Sequence, residues 1–476
     1  MVQVLFTASE AAPFIQTGGL AEVAGSLPLA LARIGCDVRL VIPGYRAVLA
    51  QNGWETMPAL PVPGHARTVG LRRRVLAPRC ELWVVEAGPE FDRPGGPYLD
   101  ATGHDWADNA ERFAFFSHAV AALAQDGMPD GWRAQVVHAN DWQTALVPLL
   151  LHPLTPRPGT LFTIHNIAYR GLCDFATFER LRLPHLAWHH EGLEFHGQCA
   201  LIKAGLVYAD RISTVSPTYA REITAPAHGW GLEGVLQARA RVLSGILNGI
   251  DHAVWDPATD PLLRQPYDAD RLALRARNKL ALQETFGLAE RNELMLVGSV
   301  TRLAEQKGID LVLEAIPGLL QHPVQFAFLG DGDPRLEAWL RRLAEAYPGR
   351  VGFRRGYDVA LSHLMYGGLD VFAMPSRFEP CGLSQLYSQR YGVVPVVRRT
   401  GGLADSVVDA VSDAGTGFVF DELSSLSAGH AIWRALQAFQ APAQWTTLQQ
   451  RGMACDFSWT HSAREYLALY RTISRG

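Results

Sequence analysis

Arg302 and, five residues on, Lys307 stand in the stretch "GSVTRLAEQKGIDL" (298–311), with Gly308 directly after. The pattern reads as a strand end, a short loop and a helix start. Arginine offers a planar fork of donors and lysine a compact point charge, so the pair suits a clamp on an anion. The competing reading is two solvated surface cations, the commoner fate of such side chains. A second polar concentration lies in "PSRFEPCGLSQLYSQRYGVVPVVRRTGGLADSV" (375–407). There Pro375 ends a strand, and Glu379 and Pro380 sit in a loop. The backbone N–H groups of Cys381, Gly382, Leu383 and Ser384 open a helix, a place that favours anions. Glu379 cannot bind a phosphate. Its carboxylate either accepts from sugar hydroxyls or caps the helix. Cys381, taken alone, reads as a small packing residue.

The first half holds two more polar strand ends. "VVHANDWQTALVP" (136–148) brings His138, Asp141 and Trp142 to one, and "TIHNIAYRG" (163–171) brings His165 and Asn166 to another. A lone histidine is usually a satisfied structural one, but two such clusters on adjacent strands resemble the floor of an active site. Near the amino terminus, "FIQTGGLAEV" (14–23) places Gln16 ahead of Gly18 and Gly19, after an apolar run and before a helix. Its "TGGLA" (17–21) returns at 400–404, again between strand and helix. Open N–H groups at such turns suit phosphates or sugar hydroxyls. Chance and convergent turn chemistry would give the same five letters.

These residues are positioned by short apolar, β-branched runs that alternate with amphipathic stretches. Strands are expected at 2–8, 37–43, 81–87, 134–140, 160–166 and 211–216, and helices at 20–35 and 109–125. A fresh series follows, with strands at 293–303, 324–333, 350–357, 369–376, 393–402 and 416–422 and helices at 309–321 and 334–347. Such runs predict buried parallel strands with crossover helices. The expected fold class is therefore α/β, with two Rossmann-like domains facing across a deep cleft, since open α/β sheets bind ligands at their carboxyl strand ends. The domains are drawn as 1–245 and 246–455, joined near "ILNGIDHAVWDPATDP" (246–261), with 456–476 as a closing segment.

Bulk properties narrow the function. A chain of 476 residues exceeds one core, and its 48% apolar content is that of a globular protein. A net charge of −4 argues against broad nucleic-acid binding. The six cysteines form no CxxC pair, which points away from zinc and from a disulfide framework, toward a reducing compartment. No signal-peptide pattern and no membrane-length apolar run is seen, so a soluble cytoplasmic protein is expected. Walker A, GxSxG, HExxH, EF-hand and strict GxGxxG patterns are absent from the sequence.

Taken together, these stretches resemble the bacterial glycogen synthases and plant starch synthases, retaining glucosyltransferases of the GT-B type. The resemblance also rests on "RPGGPYLD" (93–100), "ILNGID" and "DFSWTHSAREYLALY" (456–470), and it runs nearly end to end. It implies glucose transfer from ADP-glucose to the non-reducing end of an α-1,4-glucan such as glycogen, with the anomeric configuration retained and with no cofactor or metal. The catalytic set so implied is Asp141, His165, Arg302, Lys307 and Glu379. Arg302 and Lys307 would hold the diphosphate, aided by the amides of Cys381, Gly382, Leu383 and Ser384. Tyr357 would stack on the adenine. Gln16, Gly18, Gly19, Asn166 and Asn248 would belong to the donor site, and His165 and Asp141 would line the reacting glucose. Glu10, Tyr98 and Trp142 would lie near the sugars. The first domain would be the acceptor-side domain, the second would bind the nucleotide sugar, and the closing helix would return to the first.

Two departures from the family pattern stand out. Tyr387 occupies the position where many retaining relatives carry a second glutamate, which matches the glycogen and starch synthase branch. Gln16 replaces the usual lysine of Lys-Thr-Gly-Gly-Leu. Two alternatives stay open at this point: a synthase preferring UDP-glucose, and a glucan-binding regulatory relative with weak transfer.

Overall fold

Val4, Leu5 and Phe6 are buried on both faces, as a parallel strand sandwiched between helices must be. The computed structural model describes residues 1–474. They divide into two units, one of Met1–Asn248 together with the helix Trp459–Ile473, the other of Gly249–Ser458.

In the first unit the strands are β1 Gln3–Thr7, β2 Asp37–Pro43, β3 Glu55–Pro61, β4 Thr68–Ala77, β5 Cys80–Glu86, β6 Val136–Asn140, β7 Gly159–Ile164, β8 Leu172–Cys173, β9 Glu194–Phe195, β10 Gln198–Ala200, β11 Arg211–Thr214 and β12 Leu243–Gly245. Nine of them form one sheet, in the order β12-β11-β7-β6-β1-β2-β5-β4-β3. It is parallel from β12 to β5, while β4 and β3 add antiparallel at the edge. That edge hairpin was not visible as an apolar run. Its centre is Arg72-Arg73-Arg74: Arg72 pairs with Glu86 at 2.9 Å, Arg73 with Glu55 at 2.6 Å, and Arg74 lies over the Trp54 ring. An edge with one solvated face needs no continuous apolar stretch. A second, antiparallel sheet has the order β8-β10-β9.

The helix Trp459–Ile473 packs into this unit. Tyr470 lies within 2.8 Å of His138 Nδ1, and Ser462 donates to the Leu247 carbonyl at 2.6 Å. His138 therefore does not belong to the strand-end cluster. It sits inside β6, fully buried, with Nε2 2.6 Å from Thr163 Oγ1, and burial holds its pKa well below the ordinary value. It is a neutral core residue tying sheet to helix.

In the second unit β13 Met295–Val300, β14 Val324–Gly330, β15 Val351–Arg355, β16 Val371–Met374, β17 Val394–Arg398 and β18 Phe418–Phe420 form a parallel sheet ordered β15-β14-β13-β16-β17-β18. Side chains alternate faces along β13. Met295 and Val297 join one apolar cluster with Val312 and Ile316 of the helix Ile309–Leu319. Leu296 joins another with Met365 and Tyr366 of the helix Val359–Gly368.

Both sheets contain a place where the strand order reverses. In the first unit it lies between β1 and β6, in the second between β13 and β16. Loops leaving such a pair at their carboxyl ends splay apart and open a crevice. The loops concerned carry Glu10, Asp141 and Trp142 in one unit and Arg302, Lys307 and Glu379 in the other. No helix among the described residues is long and apolar enough to cross a membrane.

Candidate active site

In the second unit the chain turns sharply after β13, and Gly308 takes φ +62° at the start of the helix Ile309–Leu319. A Cβ at Gly308 would collide with the Pro375 carbonyl, so only glycine lets the loops after β13 and β16 approach. The same loops are laced together by Arg377, which grips Asp310 with two bonds of 2.8 and 2.7 Å and donates to the Glu305 carbonyl at 2.9 Å. The result sets Lys307 Nζ 2.7 Å from Glu379 Oε2, which also accepts from Ser376 Oγ at 3.0 Å. Glu379 is buried and its carboxylate holds Lys307; it does not cap a helix. Lys307 is accordingly no solvated surface cation.

Arg302 is exposed two residues past the end of β13, and no ion pair engages it among the described residues. Beyond Glu379, Gly382 takes φ +74°, and the Gln385 amide donates to the carbonyls of Cys381 and Gly382 at 3.1 and 2.9 Å. The loop carbonyls are thus turned inward, and among the described residues no backbone acceptor faces the N–H groups of Gly382 and Leu383. Cys381 is buried, and Ser384 begins the helix Ser384–Arg390. Tyr357 is 68% exposed just past β15, at the same carboxyl edge of the sheet.

The first unit gathers a second group. Asp141 follows β6 with φ +57°, a left-handed conformation that aspartate tolerates better than most residues. Its Oδ1 accepts from the His165 N–H at 2.7 Å and, more weakly, from that of Asn166 at 3.4 Å. His165 Nε2 lies 2.9 Å from Asn140 Oδ1. The Asn140 amide nitrogen donates to the Thr7 and His138 carbonyls at 3.0 and 3.3 Å, so its oxygen must accept. That fixes the proton of His165 on Nε2 and leaves Nδ1 as an acceptor. Burial pushes the His165 pKa down to about 3, so the ring is neutral at any working pH.

Glu10 is buried and accepts from the Thr17 N–H at 2.6 Å, which ties it to the Gly18–Gly19 turn. Tyr98 hydrogen-bonds Glu10 and lies 2.7 Å from Ser9 Oγ. Nothing stands within 4 Å of a Cβ placed on Gly19, so the start of the helix Gly19–Arg33 is open. Gln16 is exposed and donates to Glu22 Oε1 at 2.8 Å. Trp142 packs edge-on to Phe113 with centroids 5.3 Å apart, and lies flat against Gly171, where a Cβ would strike the indole. Asn248, the last residue before the second unit, is 5% exposed, and its Oδ1 has no donor among the described residues.

The repeated "TGGLA" performs two tasks. A Cβ on Gly19 would meet nothing and one on Gly18 only Glu10 Oε1 at 4.0 Å, whereas a Cβ on Gly401 or Gly402 would collide with the carbonyls of Glu379 or Cys381. The Gly402 N–H donates to the Glu379 and Pro380 carbonyls at 3.1 and 3.2 Å. The second copy supports the Glu379 loop from behind and offers no anion site there. Sequence reasoning also passed over Asn140, Ser376 and the Arg377–Asp310 pair. Asn140 had a visible signal, a polar residue inside the apolar run "VVHAN".

Burial raises Glu10 and Asp141 each to about 7, against the N–H bonds they accept, and the Glu10 charge raises Asp141 further. The folded unit therefore keeps these protons up to about pH 7, while an unfolded chain releases them near the ordinary carboxylate value, roughly 4. Stability present at low pH is lost as pH rises through that interval and is fully lost above 7. The double variant Glu10→Gln/Asp141→Asn should remove this slope. Thermal melting between pH 5 and 8 should show the wild type losing several degrees more than the variant; parallel curves would refute the assignment.

The family model described as starch synthase catalytic domain matches residues 3–238, and that for glycosyl transferases group 1 matches 283–447. Glycogen synthase 1 of Methylococcus capsulatus is 47% identical over 480 residues, covering 100% of this chain and 97% of its own. The glycogen synthase of Thioalkalivibrio sulfidiphilus is 49% identical, covering 99% and 100%. Among solved structures, the catalytic domain of starch synthase IV from Arabidopsis thaliana, bound to ADP and acarbose, superposes with a TM-score of 0.89 at 31% identity and covers 100% of both chains. A sucrose-phosphate synthase from Thermosynechococcus elongatus shares the fold, with a TM-score of 0.62 at 18% identity.

Proposed function

The chain belongs to the glycogen and starch synthase family of GT-B glucosyltransferases, and from that premise we propose that it transfers glucose from ADP-glucose to the non-reducing end of an α-1,4-glucan such as glycogen, with retention of configuration. The observation that carries this is the Lys307–Glu379–Ser376 group where the order of the second sheet reverses, with the Arg302 guanidinium, in no ion pair among the described residues, on the same strand end.

As the glycosidic bond breaks, charge collects on the leaving diphosphate. Lys307, held in place by Glu379, and Arg302 stabilise it together with the N–H groups of Gly382 and Leu383. Cys381 and Ser384 flank those amides. Tyr357 offers its exposed ring to the adenine. The Asp141 carboxylate and the neutral His165 receive the glucose, beside Asn166 and the unpaired Asn248 amide oxygen. Gln16, Gly18 and Gly19 border the donor, and Glu10, Tyr98 and Trp142 the sugars. The incoming glucan hydroxyl attacks the anomeric carbon on the face the diphosphate leaves, and the departing phosphate oxygen takes its proton. Retention follows without an enzymic nucleophile. Double displacement would need a free carboxylate. Asp141 is engaged with the His165 N–H and Glu379 with Lys307 and Ser376, which supports the front-face route. On this reading the protein works in the cytoplasm, away from membrane and nucleic acid.

Donor choice is the discriminating test. On glycogen, kcat/KM for ADP-glucose should exceed that for UDP-glucose by about tenfold or more, a difference of roughly 1.4 kcal/mol. A reversed preference would overturn the donor assignment. Gln16→Lys restores the cation usual at this turn. Glu22, which now holds the Gln16 amide, will compete for the ammonium. The expected gain in kcat/KM for ADP-glucose is therefore severalfold, below the roughly tenfold that a charged bond adds over a neutral one. Unchanged kinetics with every donor would place Gln16 outside the working site.

A further inference from the structure

We infer that Cys173 and Cys199 form a redox-reactive dithiol, which a low-molecular-weight disulfide of the glutathione type converts to a cross-strand disulfide. Cys173 on β8 stands directly opposite Cys199 on β10 in the antiparallel pair. Directly opposed residues of such a pair have Cα atoms about 4.5–5.5 Å apart, inside the span that a disulfide bridges without backbone movement. Their side chains fall on one face of the sheet.

The surroundings separate the roles. Cys199 is fully buried, whereas Cys173 is partly exposed between the exposed Leu172 and Asp174. The neighbouring Cys199 thiol lowers the Cys173 pKa, against partial burial and the nearby Glu111 and Asp174 carboxylates. The Cys199 pKa is pushed far up by Cys173 and by burial. Elsewhere burial raises Cys36 to about 11 and Cys80 to about 12. Cys173, the thiol that a small disulfide can reach, attacks, and the buried Cys199 resolves.

The steps balance. The Cys173 thiolate attacks one sulfur of the small disulfide, forming a mixed disulfide and expelling one small thiolate. Cys199 then attacks the Cys173 sulfur, forming the protein disulfide and expelling the second small thiol, to which its proton passes. Two protein thiols are oxidised and one small disulfide is reduced to two thiols.

The test treats the native full-length protein with oxidised glutathione, alkylates the remaining thiols and maps peptides by mass spectrometry. In the wild type, a linked peptide pair containing Cys173 and Cys199 is expected, reversed by dithiothreitol, with Cys36 and Cys80 alkylated only after unfolding. In Cys199→Ser the resolving thiol is gone, and a stable glutathione adduct should accumulate on Cys173. Cys173→Ser should leave Cys199 unmodified. The inference is overturned if the wild type yields no Cys173–Cys199 link while other cysteines react, or if the folded Cys199→Ser protein shows no adduct on Cys173. The wild-type mapping decides the matter even if neither variant folds.

Discussion

Lys307→Met is expected to lower kcat by about 10²–10³-fold, the usual effect of deleting one preorganised donor to developing charge. If the acceptor is held by the first unit, as proposed, glycogen binding should survive. The variant also leaves Glu379 buried beside Ser376 without its cation. An uncompensated buried charge is costly, about 3–5 kcal/mol when fully buried. The Glu379 side chain is 6% exposed, so the loss is expected to approach that range. The double variant Lys307→Met/Glu379→Gln separates the two effects. It should regain most of the melting temperature and none of the activity. Recovery of activity would mean that Lys307 serves only to neutralise Glu379, and the leaving-group role would fall.

The second large effect is expected at Asp141. Asparagine tolerates the left-handed backbone and can keep an oxygen toward the His165 N–H, so Asp141→Asn should fold. What it loses is the charge that the carboxyl offers to glucose hydroxyls once it ionises, near pH 7 and above. Hydrogen bonds to charged groups contribute about 1.5–3 kcal/mol, which sets a fall of roughly 10- to 100-fold in kcat/KM. Its stability above pH 7 should rise over the wild type, because the buried charge is gone. Asp141→Ala should fall further, by about another tenfold or more. It strains the left-handed turn and leaves the His165 N–H unpaired. A stabilised, nearly inactive Asp141→Asn would mark a residue kept for chemistry at a cost in stability. A fully active Asp141→Asn would reduce Asp141 to a backbone brace.

Much of the fold was legible because buried parallel strands advertise themselves. "DVRLVIP" is a strand over its whole predicted length, and "VQFAFLG" is fully buried. The Arg72–Arg74 hairpin was not, since paired charges on an edge carry no apolar pattern. The site residues were legible as strand-end polar clusters, but their partnerships were not. Lys307 and Glu379 are 72 positions apart, and the sequence presents them as separate contacts. His138 and His165 look alike in their motifs. Tyr470, 332 positions from His138, makes one of them a core residue, while Asn140 orients the other. The two copies of "TGGLA" diverge for a similar reason. Only tertiary approach of the Glu379 and Cys381 carbonyls decides that Gly401 and Gly402 are packing glycines.

The chain moves one glucose at a time from a nucleotide sugar to a glucan end. The most direct measurement incubates the purified protein with ADP-glucose and a short α-1,4-linked maltooligosaccharide and follows both products by NMR. One ADP should appear for each new α-1,4 linkage, with the chain lengthening by single residues at its non-reducing end. No elongation with any nucleotide glucose, alongside retained glycogen binding, would contradict this reading, as would ADP release without elongation or a β-linked product.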